Sequence, residues 1–156
     1  MTYLTLRYIE EGYSFNDLIS KIKETTLKIR TIVYIDTLKY VFRTGRIPKA
    51  LSNFGSFLSV KPIVSLNLGK IKPLSLATNK EKGFERVFEV LKKDNSSNTI
   101  FFMYIDVKEE EKNFFVKKIK EIFKDINIFF VKFTPIMGYA VGSDAFGVSY
   151  LGRSVW

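Results

Sequence analysis

Apolar residues recur along the chain with two periods, and each period predicts one type of secondary structure. Short runs of β-branched and aromatic residues are typical of strands. They alternate with stretches in which apolar residues recur every three or four positions, as they do on one side of a helix. The five predicted strands are residues 30–36, 61–66, 71–76, 99–105 and 127–133. Strands that alternate with helices predict an α/β fold, bordering on α+β, with helices packed on a mixed sheet.

Two strands are predicted to be buried on both faces. The runs TIFFMYID and INIFFVKF contain few polar residues, and continuous apolar runs are typical of strands that are covered on both sides. A hairpin is predicted between residues 61–66 and 71–76, because Asn67, Leu68 and Gly69 supply turn residues between them.

Capping residues mark three predicted helices. Gly12 ends a short first helix, Ser14 is placed to cap the second, and Asn79 is placed to cap the amphipathic helix that begins near residue 80. The second helix also carries four apolar residues at helical spacing, which predict a buried face. These residues are Phe15, Leu18, Ile19 and Ile22.

The length and the missing residue types restrict the possible functions. A chain of 156 residues predicts a single domain over residues 1–156. Without cysteine or histidine the chain has no disulfides, no thiolate metal site and no imidazole base, and a cysteine-free chain fits the cytoplasm. Carboxylates that follow strands, such as Asp36, are interpreted as helix caps. The sequence therefore predicts a protein that is not an enzyme and has no metal or cofactor.

The positive charge does not by itself indicate a nucleic-acid partner. The formal net charge is +9, but the lysines are scattered and many alternate with glutamate. A protein that binds single-stranded nucleic acid would need basic residues interleaved with aromatic residues on which bases stack, and the sequence does not contain that arrangement. A lysine-rich solvated surface is the preferred interpretation. No apolar run reaches the length of a membrane span, so membrane insertion is not expected.

Two segments resemble a known family. Residues 35–74 read IDTLKYVFRTGRIPKALSNFGSFLSVKPIVSLNLGKIKPL, in which IDTL, GRI, VKPI and GKI match the second, C-terminal lobe of the DegV family. Near the end, TPIMGYAVGSDAFGVSYLG matches a further family segment. DegV proteins are bacterial fatty-acid-binding proteins, and some are the lipid-binding subunits of fatty acid kinase. The resemblance extends over nearly the whole chain.

The sequence also departs from the family pattern in three respects. The first lobe of the family, which holds the hydroxyl residues that bind the fatty-acid carboxylate, has no counterpart in residues 1–156. Ala140 stands where the family has a histidine, and Thr78 stands where it usually has an arginine. The chain is thus expected to be a natural short protein or a truncated piece of a longer one.

The resemblance implies non-catalytic binding of a long-chain fatty acid. It places Arg46 on a loop that faces the ligand or a partner lobe, where its guanidinium would pair with a carboxylate. Alternatively, Arg46 only caps the helix that ends at Gly45. Four residues are candidates for the acyl-chain lining, although they would serve equally well as core. They are Phe54, Phe57, Leu58 and Tyr139.

A second hypothesis belongs to a different class of function. The chain would be an interaction or dimerisation module that pairs with a separate first lobe or with a second copy of itself, without lipid. The expected partners are therefore a fatty acid, a fatty-acid-kinase-like protein, a separate first lobe or a homodimer mate.

Overall fold

The computed structural model describes residues 1–38, 41 and 61–154, and the helices and strands below lie within those ranges. The helices are α1 (Thr2–Glu10), α2 (Phe15–Lys28), α3 (Lys80–Asp94), α4 (Glu109–Ile122) and α5 (Pro135–Val141). The strands are β1 (Ile29–Tyr34), β2 (Lys61–Asn67), β3 (Lys70–Ala77), β4 (Thr99–Tyr104), β5 (Asn127–Lys132) and β6 (Phe146–Leu151). Among the described helices, none is long and apolar enough to cross a bilayer.

The described strands form one mixed sheet in the order β3-β2-β1-β6-β4-β5. Only β4 and β5 pair in parallel, and the other four neighbouring pairs are antiparallel. All five predicted strands are present, which confirms the predicted α/β class with a mixed sheet. The hairpin is also confirmed, since Leu68 and Gly69 have φ angles of 48° and 74° and form the tight turn between β2 and β3.

One face of the sheet is covered by α3 and α4, and we call it the helix-covered face. Asn79 caps α3 by accepting a hydrogen bond from the Lys82 amide at 2.9 Å, as the sequence predicts. The helix buries Phe84 against the sheet, where its ring stacks on Phe146 with centroids 4.2 Å apart. Phe146 in turn stacks on Tyr34 at 5.0 Å. Stacked aromatic rings therefore form the main hydrophobic core.

The prediction that residues 127–133 form a fully buried strand is wrong. β5 is an edge strand that pairs only with β4 in the described part of the chain. Phe129, Phe130 and Val131 are about 40% exposed. The apolar run resembled a central strand because the sequence does not reveal which strands have two neighbours.

The predicted buried face of α2 is only partly confirmed. Phe15 is 76% exposed and Ile19 is exposed as well. The side of α2 that is buried carries Thr25, whose Oγ1 lies 2.9 Å from the hydroxyl of Tyr8 on α1. Leu18 and Ile22 are half-buried and lie seven and three positions before Thr25, on the same side of the helix. Helical spacing therefore identified two of the residues through which α2 is held.

A buried arginine joins the amino-terminal end of β1 to the end of the described chain. Arg30 is only 1% exposed, and it donates hydrogen bonds to the backbone oxygens of Leu27 and Ser154. Its Nε lies 3.9 Å from Oδ2 of Asp94 at the end of α3. The same Oδ2 accepts a hydrogen bond of 2.9 Å from the buried Tyr150 hydroxyl. One carboxylate thus serves two buried groups.

We expect Asp94→Ala to lower the free energy of unfolding by about 3 kcal/mol, because it leaves the buried Arg30 charge without its carboxylate. The Tyr150 hydroxyl loses its acceptor in the same variant. Urea denaturation measures the change. Glu89→Ala is the matched control on the same helix, since it breaks only an exposed ion pair with Arg86 and should change stability by less than about 0.5 kcal/mol. Equal effects of the two substitutions would contradict the role of Asp94.

Candidate functional site

The side of the sheet opposite α3 and α4 is apolar but remains partly accessible, and we call it the open face. Its central positions are occupied by Val33, Phe101, Met103, Gly147 and Ser149. Strand register brings them together, because Gly147 pairs with both Val33 and Met103, and Ser149 pairs with Phe101. Phe101 and Met103 are only half-buried, although they lie on a strand with neighbours on both sides.

The burial of neighbouring phenylalanines shows how different the two faces are. Phe102, between Phe101 and Met103 in the chain, points to the helix-covered face and is 0% exposed. Side chains of successive strand residues point to opposite faces. The middle of the sheet therefore has a closed core on one side. On the other side Phe101, Met103 and Ser149 are half-buried, whereas Val33 and Gly147 are buried.

Helix α1 covers one end of the open face loosely. The Tyr3 ring packs on Phe101 and Phe129, with centroids 5.7 and 5.3 Å apart. A cavity of about 60 Å³ remains between α1 and the sheet, and its lining includes Phe101 and Ser149. The end of the open face near α1 is thus apolar and imperfectly filled.

Two hydroxyl groups lie in this apolar surface. Thr31 donates a hydrogen bond of 3.1 Å to the Ser149 hydroxyl, and Ser149 donates one of 3.1 Å to the Arg30 backbone oxygen. Both hydroxyl protons are therefore used within the sheet. This pairing lowers the cost of placing polar groups on a surface that is otherwise apolar.

Helix α5 packs on the other end of the open face. Its residues Met137 and Val141 join Val33 and Ile105 in a second, smaller apolar cluster. Val41, the one described residue between 38 and 61, belongs to the same cluster. The smaller cluster lies at the carboxyl end of β1.

Of the five residues predicted to bind ligand, Tyr139 lies within the described residues. It is on α5 and is 59% exposed, close along the helix to the exposed Ile136. The other four lie outside the described residues. They are Arg46, Phe54, Phe57 and Leu58. Tyr139 is therefore not a core residue, because most of its surface is accessible.

A polar network lies at the same end of the sheet, where β1 ends and β2 begins. Lys61 Nζ is 3.0 Å from Asp36 Oδ1 and also donates a hydrogen bond of 2.7 Å to the Asp36 backbone oxygen. The Tyr34 hydroxyl donates to the same carboxylate oxygen at 3.2 Å. Burial, and then the negative charge of Asp36, raise the pKa of Tyr34 well above its ordinary value.

The comparison with protein families identifies the chain. Residues 3–153 match the family model described as an uncharacterised protein of the DegV family. The chain belongs to the DegV family. A DegV domain-containing protein of Clostridium acetobutylicum is 30% identical over 149 residues, which are 93% of this chain and 53% of that protein. A DegV domain-containing protein of Staphylococcus aureus is 24% identical over 154 residues, covering 96% of this chain and 53% of that protein.

Solved DegV structures share the fold of this chain. The DegV family protein of Eubacterium eligens loaded with heptadecanoic acid has a TM-score of 0.82 at 15% identity and covers 97% of this chain and 55% of its own. The fatty acid kinase B3 protein of Streptococcus pneumoniae loaded with linoleic acid has a TM-score of 0.80 at 15% identity, covering 96% and 53%. DegV of Bacillus subtilis, a fatty acid binding protein, has a TM-score of 0.76 at 24% identity, covering 96% and 54%. The chain spans about half the length of the relatives that it matches.

The DegV motifs contain a pair of interacting residues that the sequence interpretation missed. Asp36 and Lys61, from the IDTL and VKPI motifs, bind each other across a gap of 25 positions in the chain. The two residues carry opposite charges and each belongs to a family motif. That combination was the signal in the sequence that could have predicted the pair. The two substituted family positions are also described: Thr78 is exposed just after β3, and Ala140, on α5, packs in the smaller cluster.

The raised pKa of Tyr34 predicts how stability depends on alkaline pH. Its pKa is raised in the folded chain, whereas in the unfolded chain it lies near the ordinary tyrosine value of 10.0. Its contribution to stability is therefore complete below pH 10 and is lost as the pH rises further. Each such buried tyrosine should lower the free energy of unfolding by up to about 1.4 kcal/mol per pH unit above 10.

Tyr34→Phe should reduce this alkaline loss of stability, as measured by urea denaturation between about pH 9 and 11. Tyr150 retains the same behaviour, since burial also raises its pKa, so the loss should be reduced and not abolished. Tyr139→Phe is the control, because Tyr139 is exposed. A slope that is unchanged in Tyr34→Phe would show that Tyr34 ionises normally in the folded chain.

Proposed function

We propose that the chain binds a long-chain fatty acid without catalysis and that the hydrocarbon chain lies on the open face. The observation that supports this most directly is the partial exposure of Phe101 and Met103 in the middle of the sheet. Central sheet positions are ordinarily covered by helices or by a second sheet. A surface of this kind suits a ligand that supplies apolar area and few polar groups.

The energetics are adequate for an acyl chain. Each methylene that is removed from water contributes roughly 0.8 kcal/mol, so ten buried methylenes contribute about 8 kcal/mol before the costs of ordering are subtracted. Binding of this kind requires apolar contact along the chain but no catalytic group. The paired hydroxyls of Thr31 and Ser149 do not compete with it, since their protons are already bonded within the sheet.

Relatives with the same fold support the choice of ligand. The Eubacterium eligens protein carries heptadecanoic acid and the Streptococcus pneumoniae protein carries linoleic acid. Both ligands are long unbranched acids, one saturated and one unsaturated. The Streptococcus pneumoniae protein is a fatty acid kinase component, so a kinase of that kind is the proposed partner for this chain.

The acyl chain and the carboxylate of the ligand require different contacts. The open face holds few charged side chains among its central positions, so the carboxylate requires a cation from elsewhere. Arg46 in the GRI motif is our candidate for that cation.

Purified chain should carry fatty acid that is detectable by mass spectrometry of an organic extract, and the delipidated chain should bind octadecanoic acid in calorimetric titration. Tyr139→Ser should weaken that binding by about tenfold, because it removes an apolar ring that is predicted to line the acyl chain. Stability should be unchanged, since Tyr139 is exposed.

Leu68→Ser is the matched control for this experiment. Leu68 is another exposed apolar residue, but it lies in the β2–β3 turn, at the opposite end of the sheet from α5. The variant should bind octadecanoic acid as the wild type does. An extract without lipid, together with no binding by the delipidated chain, would contradict the proposed function.

Arg46→Ala tests the head-group contact. If the guanidinium pairs with the carboxylate, affinity for octadecanoic acid should fall by at least about tenfold, in line with the 1.5–3 kcal/mol typical of charged hydrogen bonds. Affinity for the corresponding alcohol, octadecanol, should not change. If Arg46 only closes a helix end, the variant should instead lose about 0.3–1 kcal/mol of stability and keep its affinity for the acid.

A further inference from the structure

The centre of the open face is shaped by a residue that has no side chain. Gly147 lies on β6, and a Cβ atom there would be 3.1 Å from Cζ of Phe133 and 3.3 Å from Cε of Met103. It would also lie 3.0 Å from the Ile32 backbone oxygen. These distances are shorter than ordinary van der Waals contacts. Phe133 and Met103 therefore occupy the space that a side chain at position 147 would take.

Phe133 reaches this position from the far edge of the sheet. Its amide donates a hydrogen bond of 2.7 Å to the Tyr104 backbone oxygen, which continues the β4–β5 pairing one residue beyond β5. β4 lies between β5 and β6, so the Phe133 side chain extends across β4 to contact Gly147. A ring that bridges three strands in this way lies close to the sheet.

We propose that Phe133, seated on Gly147 beside Met103, is the floor of the acyl site and determines which chain shapes it accepts. The inference rests on the proposed function. Phe133 remains half-exposed although its tip is in contact with the sheet. A ligand on the open face would therefore lie against this ring and not against the backbone.

The position of the ring limits the depth of the site. A straight saturated chain needs little depth, whereas a cis double bond or a methyl branch adds width that must be accommodated by the floor or the walls. Close-packed apolar sites discriminate against a bend or a branch, because their side chains cannot move apart to accommodate added volume without a cost in free energy. The site as built therefore favours straight chains over bent or branched ones.

The test compares affinities for three probes: octadecanoic acid, cis-9-octadecenoic acid and a methyl-branched acid of the same carbon count. In Phe133→Leu the floor is lower, so the preference for the straight acid over the other two should fall by about tenfold. Phe130→Leu is the matched control. Phe130 lies on the same strand but packs on Phe102 at the helix-covered face, so its replacement should leave the preference unchanged.

A second measurement tests the contact between Phe133 and Gly147 in the absence of ligand. Gly147→Ala should lower stability, and part of that loss should disappear when Phe133→Leu is also present, because the added methyl group then meets a shorter side chain. Additive effects on the midpoint of urea denaturation would overturn the seating of Phe133 on Gly147. Gly147→Ala combined with Phe130→Leu is expected to be additive and is the control.

The outcomes separate this inference from the proposed function. One outcome is that the wild type binds octadecanoic acid while Phe133→Leu keeps the same preference for the straight acid over the other two. That result would overturn the role of Phe133 and leave the proposed function intact. Failure of the wild-type chain to bind any of the three acids would overturn both. A reduced preference together with non-additive stability of the Gly147 and Phe133 variants would support the floor.

Discussion

The close contact between α3 and Tyr34 determines how the two faces of the sheet differ. A Cβ at Gly83 would lie 2.5 Å from the Tyr34 ring, so α3 rests directly on that ring only because residue 83 is glycine. The contact lets Phe84 stack on Phe146, which itself stacks on Tyr34. These three stacked rings anchor α3 on the helix-covered face, whereas Phe101 and Phe129 on the open face stay partly accessible.

Polar groups also fix β1 at both ends; Arg30 near its start is buried, whereas Asp36 and Lys61 past its end are half-buried. Arg30 near its start binds backbone oxygens and lies beside the Asp94 carboxylate, and Asp36 just past its end binds Lys61 and Tyr34. Such groups are costly to bury unless they are satisfied, so they strongly favour one register of the surrounding elements. These groups therefore fix β1 relative to α3 and to the start of β2.

Much of the architecture was predictable from local signals. The strands, the hairpin turn at Leu68 and Gly69, and the caps at Ser14 and Asn79 depend on residues within a few positions of one another. The errors concerned surfaces whose burial depends on distant neighbours, namely the faces of α2 and β5. The Asp36–Lys61 pair and the contact of Phe133 with Gly147 join segments that are not adjacent in the chain. Periodicity does not report such contacts.

The adjacent phenylalanines explain why the sequence could not distinguish core from site. Phe102 points to the helix-covered face and Phe101 to the open face, and Phe130 and Phe129 divide in the same way. A strand that is apolar on both sides is usually read as one that is covered on both sides. In this lobe the second apolar side would instead receive a ligand or another part of a protein. A sheet that is apolar on both faces needs consecutive apolar residues in its strands. One side chain then points to the core and the next points to the accessible face.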